Sequence, residues 1–399
     1  MRVFKAIGRN NRLFMLANFI GALSVGLSMK FRPLYLARLG ASPEQIGTAL
    51  ALGSATSIIG PFVGGILSNR MEPKRVILIM WSMSVLGFAI MALSPTWPVA
   101  TLGLAIDGLV VVSSPAVVMY VLLNAKADGH EASPERVLTF VFASGSAALA
   151  FAPALGGLIA ERFSIRAAIL LGAAGYALAT GVMALAGDVE AERQAERRSV
   201  LTVFQNRTFR TLVMYYMLVN VVLYVGYALA PNFLEDTRRL HLNTIGLLYS
   251  VGYAGTVVCN LLVGRLKPRW GYAALLLTTW IGLAILGGMS GPLWSGAALF
   301  LMGGIYTMRA MIMAGTGHVF DESERDMALG AMEGLSNAAT AAASWLAGML
   351  YDVTPSHNAP IIAGLAGIPL ALILLLFAPV AHQPSEASLY PVSQEEGVQ

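Results

Sequence analysis

"GPFVGGILSNRMEPKR" runs from Gly60 to Arg75. Its first nine residues are small, apolar or hydroxylic, and its last seven include Arg70, Glu72, Lys74 and Arg75. It reads as the glycine-rich end of an apolar helix passing into a short basic loop. The same junction recurs along a chain of 399 residues that is 56% hydrophobic and 12% charged. A soluble domain averages about 25% charge and keeps large apolar patches off its surface. Apolar runs of about 18–25 residues, long enough to cross a bilayer as helices, fill most of the sequence. The chain is therefore expected to be an all-α, multi-pass membrane protein.

The runs are read as twelve spans: 13–37, 44–67, 76–94, 98–123, 137–160, 167–186, 211–233, 243–264, 272–289, 294–316, 328–350 and 359–379. The basic N-terminal head leads into a run without a clear cleavage site, so it is read as span 1, not as a removed signal peptide. With an even number of spans both termini share one side. Eighteen of the 26 lysines and arginines fall on that side and five on the other. Basic residues collect in cytoplasmic loops, so both termini are placed in the cytoplasm, in the cytoplasmic membrane. This asymmetry also accounts for the net charge of +4 without invoking nucleic acid. The longest polar connector divides the chain into an N-terminal half (1–186), a cytoplasmic linker (187–210), a C-terminal half (211–379) and a polar tail (380–399) expected to be disordered. A single cysteine, Cys259, and five histidines outside the spans offer neither a disulfide nor a metal set. No cofactor is expected, and no phosphate-cradling nucleotide loop is present in the sequence.

Four stretches resemble one another: "GILSN" at Gly65, "GLIAE" at Gly157, "GRLKP" at Gly264 and "GMLYD" at Gly348. They close spans 2, 5, 8 and 11, the middle members of four three-helix units, on alternating sides. An odd-numbered unit inserts upside down when copied. The pattern is that of two pseudo-symmetric six-helix bundles, each a 3+3 inverted repeat, which can rock about a shared site.

On these residues the chain resembles the major facilitator superfamily. "GGILSNRMEPKR" (Gly64–Arg75) is similar to that family's loop between spans 2 and 3, G-x-L-x-D-R-x-G-R-[KR]. Gly65, Leu67, Arg70 and Lys74 match, while Asn69 stands at the family's aspartate and Glu72 at its glycine. A second copy, "GRLKPRWG", matches at Gly264, Leu266, Arg269 and Gly271. The resemblance implies a gating role for Gly65, Asn69, Arg70, Lys74, Gly264 and Arg269. "APALGG", with Pro153, Gly156 and Gly157, resembles the span 5 motif of the family's drug/proton antiporters, with Ala152 in place of a glycine. It also implies that spans 1, 4, 7 and 10 line a central cavity.

Charges inside a membrane are costly and face a cavity or a partner. Asp107 lies nine residues into span 4, about 14 Å deep at 1.5 Å per residue. It is expected to be neutralised by a proton, by Arg32, by Arg309 or by a cationic substrate, and is the candidate proton-coupling site. Asn18, Gly21, Val25, Ser28 and Arg32 share one helical face, so Arg32 is assigned to the cavity and Lys30 to the outer interface, reaching polar surroundings as long basic side chains do. Tyr216, Asn220, Tyr224 and Tyr227 form a stripe on span 7, Tyr253 belongs to one on span 8, and Tyr306 shares a face with Arg309 on span 10. These stripes are read either as a substrate pocket or as hydrogen bonding between helices. Arg309 and Glu333 are candidates for an ion pair or for a substrate role.

The resulting expectation is a monomeric secondary transporter, not an enzyme, exporting a small amphipathic organic compound with proton coupling. Uptake or exchange of a small organic anion is the rival. A non-transporting membrane sensor on the same fold is an alternative from another class, and a membrane-embedded enzyme is disfavoured because its catalytic cluster is missing from the sequence. One test addresses the topology. In a chain lacking Cys259, cysteines introduced at Gln194 and Thr237 should react with impermeant reagents from opposite sides of the membrane. Labelling from one side would reject the span count.

Overall fold

The computed structural model describes residues 7–127, 133–189, 200–317, 320 and 322–378. The expected tail 380–399, the linker residues 190–199 and the Asn69 side chain lie outside the described residues. Among those described there is no strand. Among the described residues nine helices are long and apolar enough to cross a membrane, and Ala359–Leu375 is apolar but shorter. Spans 10 and 11 complete the twelve through Pro292–Met302, Gly304–Gly317 and Glu322–Tyr351.

Local chemistry sets many helix starts. Prolines occupy the first turn at Pro43, Pro73, Pro98, Pro134, Pro268, Pro292 and Pro360. Their missing N–H costs nothing there, and the fixed φ suits the helix. Ser42 and Gln45 cap the start of span 2 reciprocally, while Ser133, Ser164 and Asn206 cap spans 5, 6 and 7.

The helices pack as the repeat requires. Span 1 lies against spans 5 and 6, span 4 against spans 2 and 3, and span 3 against span 6. Adding six to every number gives the C-terminal neighbours: 7 with 11 and 12, 10 with 8 and 9, and 9 with 12. Exchanging 1 with 4, 2 with 5 and 3 with 6 returns the same set within one half. The first helix of every triple is also interrupted. Span 1 breaks between Arg9–Met29 and Arg32–Arg38, and span 7 between Arg207–Val225 and Ala230–Asp236. Span 4 passes through a 3-10 turn at Leu109–Ser113, and span 10 breaks at Gly303. Span 2 is interrupted too, between Thr56 and Gly60. The chain is thus a twelve-helix membrane protein of two pseudo-symmetric six-helix bundles.

The halves meet along two crossings, span 2 with span 11 and span 5 with span 8. Each is a glycine facing a glycine. A Cβ on Gly47 would stand 2.8 Å from the Gly348 Cα, and one on Gly157 would stand 3.0 Å from the Gly246 Cα. One residue back, Gly156 lies against the Leu27 carbonyl of span 1, leaving no room for a side chain. Pro153 sits inside the span 5 helix, and the Ala154 N–H donates across the crossing to Ser250 Oγ at 3.1 Å. The span 5 motif thus places backbone on backbone between the halves. Both crossings lie toward the face opposite the chain termini, called here the distal face. Spans 2 and 11 also stay together farther in, where Asn337 Nδ2 donates to the Ser57 carbonyl at 3.1 Å and Gly334 rests against Ile58 and Phe62.

Overpacking a tight contact costs about 1–3 kcal/mol. Gly157→Leu should lower the melting temperature of the detergent-purified protein accordingly. Gly181→Leu, where a Cβ meets nothing within 4 Å, should leave it unchanged. Equal effects would show that the crossing is not tight.

Candidate functional site

The breaks in spans 1 and 7 face each other across the two halves. Lys30 sits in the first and Tyr227 in the second. Lys30 is 7% exposed. Its Nζ donates to Tyr306 Oη at 2.7 Å and to Tyr227 Oη at 3.3 Å, and lies 5.0–5.8 Å from the ring centres of Tyr227, Tyr249, Tyr253 and Tyr306. Aromatic faces attract a cation at that range. The expectation that Lys30 reaches the outer interface is corrected: its side chain turns into the tyrosines of the other half. Arg32–Arg38 packs on Ala230–Asp236 beyond it, with an Arg38–Glu235 ion pair at 2.7 Å. On the other flank Glu161 accepts from the Leu242 N–H at 2.9 Å and approaches His241 Nδ1 at 3.3 Å. These contacts join the halves at the distal face.

The other central charges are paired within one half. Arg32 Nη2 lies 2.8 Å from Asp107 Oδ2, its guanidinium rests over the Phe88 ring, and Ser84 Oγ donates to Asp107 Oδ1. Spans 1, 3 and 4 therefore meet at one buried carboxylate. Of the partners considered for Asp107, the structure selects Arg32. In the C-terminal half, Arg309 Nη2 and Glu333 Oε1 are 3.1 Å apart, each side chain about one-third exposed.

A cavity of about 470 Å³ lies between the halves, on the side of the Lys30 layer nearer the chain termini. It is walled by Asn18, Gly21, Ala22, Val25 and Met29 of span 1, by Ser146, Leu149 and Ala150 of span 5, and by Tyr253, Thr256, Val257 and Asn260 of span 8, with Trp81, Tyr176 and Tyr306. No carboxylate is among these wall residues. Tyr253 and Tyr306 stack at 5.7 Å and separate the cavity from Lys30. A void of about 10 Å³ behind them, bordered by Tyr227 and Tyr249, has room for roughly one water.

The sequence-derived residues divide accordingly. Tyr253 and Tyr306 are on the cavity wall. Arg32 and Arg309 are in ion pairs and not on that wall. Tyr216 and Asn220, also absent from it, bond to Ser336 Oγ of span 11 at 3.1 and 2.8 Å, the interhelical use the sequence left open. Tyr224 and Tyr227 meet edge to face at 6.2 Å. Of the loop residues, Arg70 is exposed in the last turn of its helix. Lys74 reaches the Ala186 carbonyl at 2.6 Å and Asp188 at 2.9 Å, inside its own half. Gly264 caps span 8, and Arg269 is exposed in the first turn of span 9. Sequence reading missed Lys30, Ser146 and Trp81 as parts of the site, while Asn18 lay on the span 1 face it turned toward the cavity. A second cation on span 1, off the Arg32 face and opposite tyrosine stripes on spans 7 and 8, was the available signal for Lys30.

Two six-helix bundles with a cavity between them are the arrangement expected from the family resemblance of the sequence. The chain belongs to the Major Facilitator Superfamily, whose profile matches residues 14–308 and 212–391. Its fold is similar to that of the nucleoside transporter NupG. The TM-score is 0.78 for a mutant form of NupG, covering 94% of this chain and 100% of that one, at 12% identity. It is 0.74 for a second NupG structure, covering 95% and 100%, again at 12% identity. Among characterised proteins, an 87-residue stretch is 32% identical to the enterobactin exporter EntS of Citrobacter koseri and of Shigella flexneri. That match spans 22% of this chain and 21% of each relative. The protein is thus an integral multi-pass membrane protein of that superfamily.

Removing one partner of a buried ion pair costs about 3–5 kcal/mol, whereas replacing both by apolar groups is often neutral. Arg32→Met alone should therefore destabilise the chain strongly, and Arg32→Met with Asp107→Leu should recover most of the loss in thermal melts. Additive losses would mean that the pair carries no coupling.

Proposed function

We propose that this transporter exports a small amphipathic organic compound by alternating access, driven by protons that bind at Asp107. The observation that carries the reading is the 470 Å³ cavity between the halves. Its walls are mainly apolar, with a few amides, hydroxyls and aromatic rings to orient a ligand, as amphipathic compounds need. The partial likeness to an exporter and the span 5 motif support the outward direction. The basic-residue asymmetry supports cytoplasmic termini in the cytoplasmic membrane. The distal face is then the outer one, and the contacts at Arg38 and Glu161 close the outer path. Rocking of the halves about the crossings would open it.

Asp107 is suited to couple protons because Arg32 and Ser84 already hold it in this state. A proton taken by the carboxylate would neutralise it, release the guanidinium and loosen the join between spans 1 and 4, both of which are interrupted close to the pair. The loop residues Arg70 and Lys74 would gate the side of the termini, and the transporter would work as a monomer. Uptake or exchange of an organic anion is the second reading, favoured by Lys30, Arg32 and Arg309 against two carboxylates, Asp107 and Glu333, away from the helix ends.

Proteoliposome transport of a panel of labelled amphipathic compounds, with and without a pH gradient, tests the reading. Asp107→Asn should abolish accumulation driven by the gradient and keep passive exchange of the same compound. An Asn variant that accumulates substrate as the parent does would remove Asp107 as the proton site.

A further inference from the structure

Lys30 differs from every other charge deep in the spans. Arg32 and Asp107 pair inside the N-terminal half, and Arg309 and Glu333 inside the C-terminal half. Rigid motion of one half against the other leaves such pairs intact. Lys30 belongs to the N-terminal half, and everything that stabilises its ammonium belongs to the other: Tyr227 of span 7, Tyr249 and Tyr253 of span 8, and Tyr306 of span 10. Among the described residues, no carboxylate lies within 4 Å of it. If the halves part at the distal face, Lys30 loses its partners in a medium where an unpaired charge is expensive.

A ligand in the adjoining cavity is one side chain away. Tyr306 offers its ring to the cavity and its hydroxyl to Lys30. Resting on the transport reading above, we propose that Lys30 is the recognition group for an oxyanion, a carboxylate or phenolate, carried by an amphipathic organic substrate. The anion takes over the ammonium from the hydroxyls of Tyr306 and Tyr227 as those rings turn aside.

Three observations fix the sign of the charge. The two carboxylates away from the helix ends, Asp107 and Glu333, are already held by arginines, so a cationic substrate finds no unpaired carboxylate there. The tyrosine cage that could hold a cation is filled by Lys30, with about 10 Å³ left. The cavity walls carry no acid. An anion bound here does more than fill the cavity. It compensates Lys30 when the cage opens, so bound substrate lowers the cost of parting the halves.

The test uses the detergent-purified full chain and three probes of one shape: 2-naphthoate, 2-naphthamide and 2-naphthyltrimethylammonium, each titrated calorimetrically. The parent should bind the carboxylate about tenfold or more tighter than the amide, as a charge-assisted hydrogen bond provides, and the ammonium weakest. Lys30→Gln should bring carboxylate and amide within about twofold while leaving amide affinity unchanged. Should Lys30→Gln fail to fold, Tyr227→Phe serves in its place. By removing a hydroxyl that competes for the ammonium, it should tighten the carboxylate about two- to tenfold and leave the amide alone. A parent that binds the amide or the ammonium as tightly as the carboxylate overturns the assignment and leaves the transport reading standing. So does a carboxylate preference that survives Lys30→Gln, or one that Tyr227→Phe does not raise. A parent that binds none of the three overturns the cavity reading and this inference together.

Discussion

An ionised side chain far from water has to find compensation close by, and this constraint organises the centre of the protein. Asp107 is tolerable because Arg32 lies 2.8 Å away and Ser84 donates to its other oxygen. Arg309 and Glu333 meet the same need more openly, nearer the membrane surface. Each pair fastens neighbouring helices within one bundle, so each bundle can move as a unit. Lys30 meets the need differently, through the rings and hydroxyls of the opposite bundle. Its compensation depends on the arrangement of the two bundles, and that makes it informative about state as well as stability.

The bundles touch where side chains are missing. Gly47 with Gly348 and Gly157 with Gly246 bring backbones into contact at two points related by the pseudo-symmetry of the fold. Neutral and charged contacts then close the distal face around them: Ala154 with Ser250, Arg38 with Glu235, and Glu161 with the start of span 8. The cavity remains where the paired helices diverge. Its location thus follows from where the glycines fall in the sequence.

Much of the architecture was legible because membrane spans leave coarse signals. Length and apolarity mark the spans, and the repeated glycine endings mark spans 2, 5, 8 and 11. The site was legible only in part. The face containing Asn18, Gly21 and Val25 does line the cavity, but its extension to Ser28 and Arg32 assumed an unbroken helix. The chain breaks at Lys30–Phe31, which resets the register. Met29 continues the cavity face, Ser28 is buried, Arg32 turns toward Asp107, and Lys30 turns toward the tyrosines. Nothing in a 3.6-residue period announces such a break, although Pro33 two residues beyond it gave a hint. Tyr216 and Asn220 share a stripe with Tyr224, yet Ser336 of a distant span takes them as partners, and only packing across the bundle could settle that.

A contact made of backbone has no rotamers to rearrange. Ordering a long side chain costs up to about 2 kcal/mol of conformational entropy, and interlocked side chains must be unlocked and reset whenever two surfaces slide or tilt. The two glycine crossings avoid that toll. Under the alternating-access cycle proposed above they would act as bare bearings for the tilting halves, with the resistance to motion left to the few polar contacts around them. In that cycle turnover would be governed by the latches and not by the pivots, so that small changes at Lys30, Arg38 or Glu161 would reset its rate while the hinge itself stays untouched.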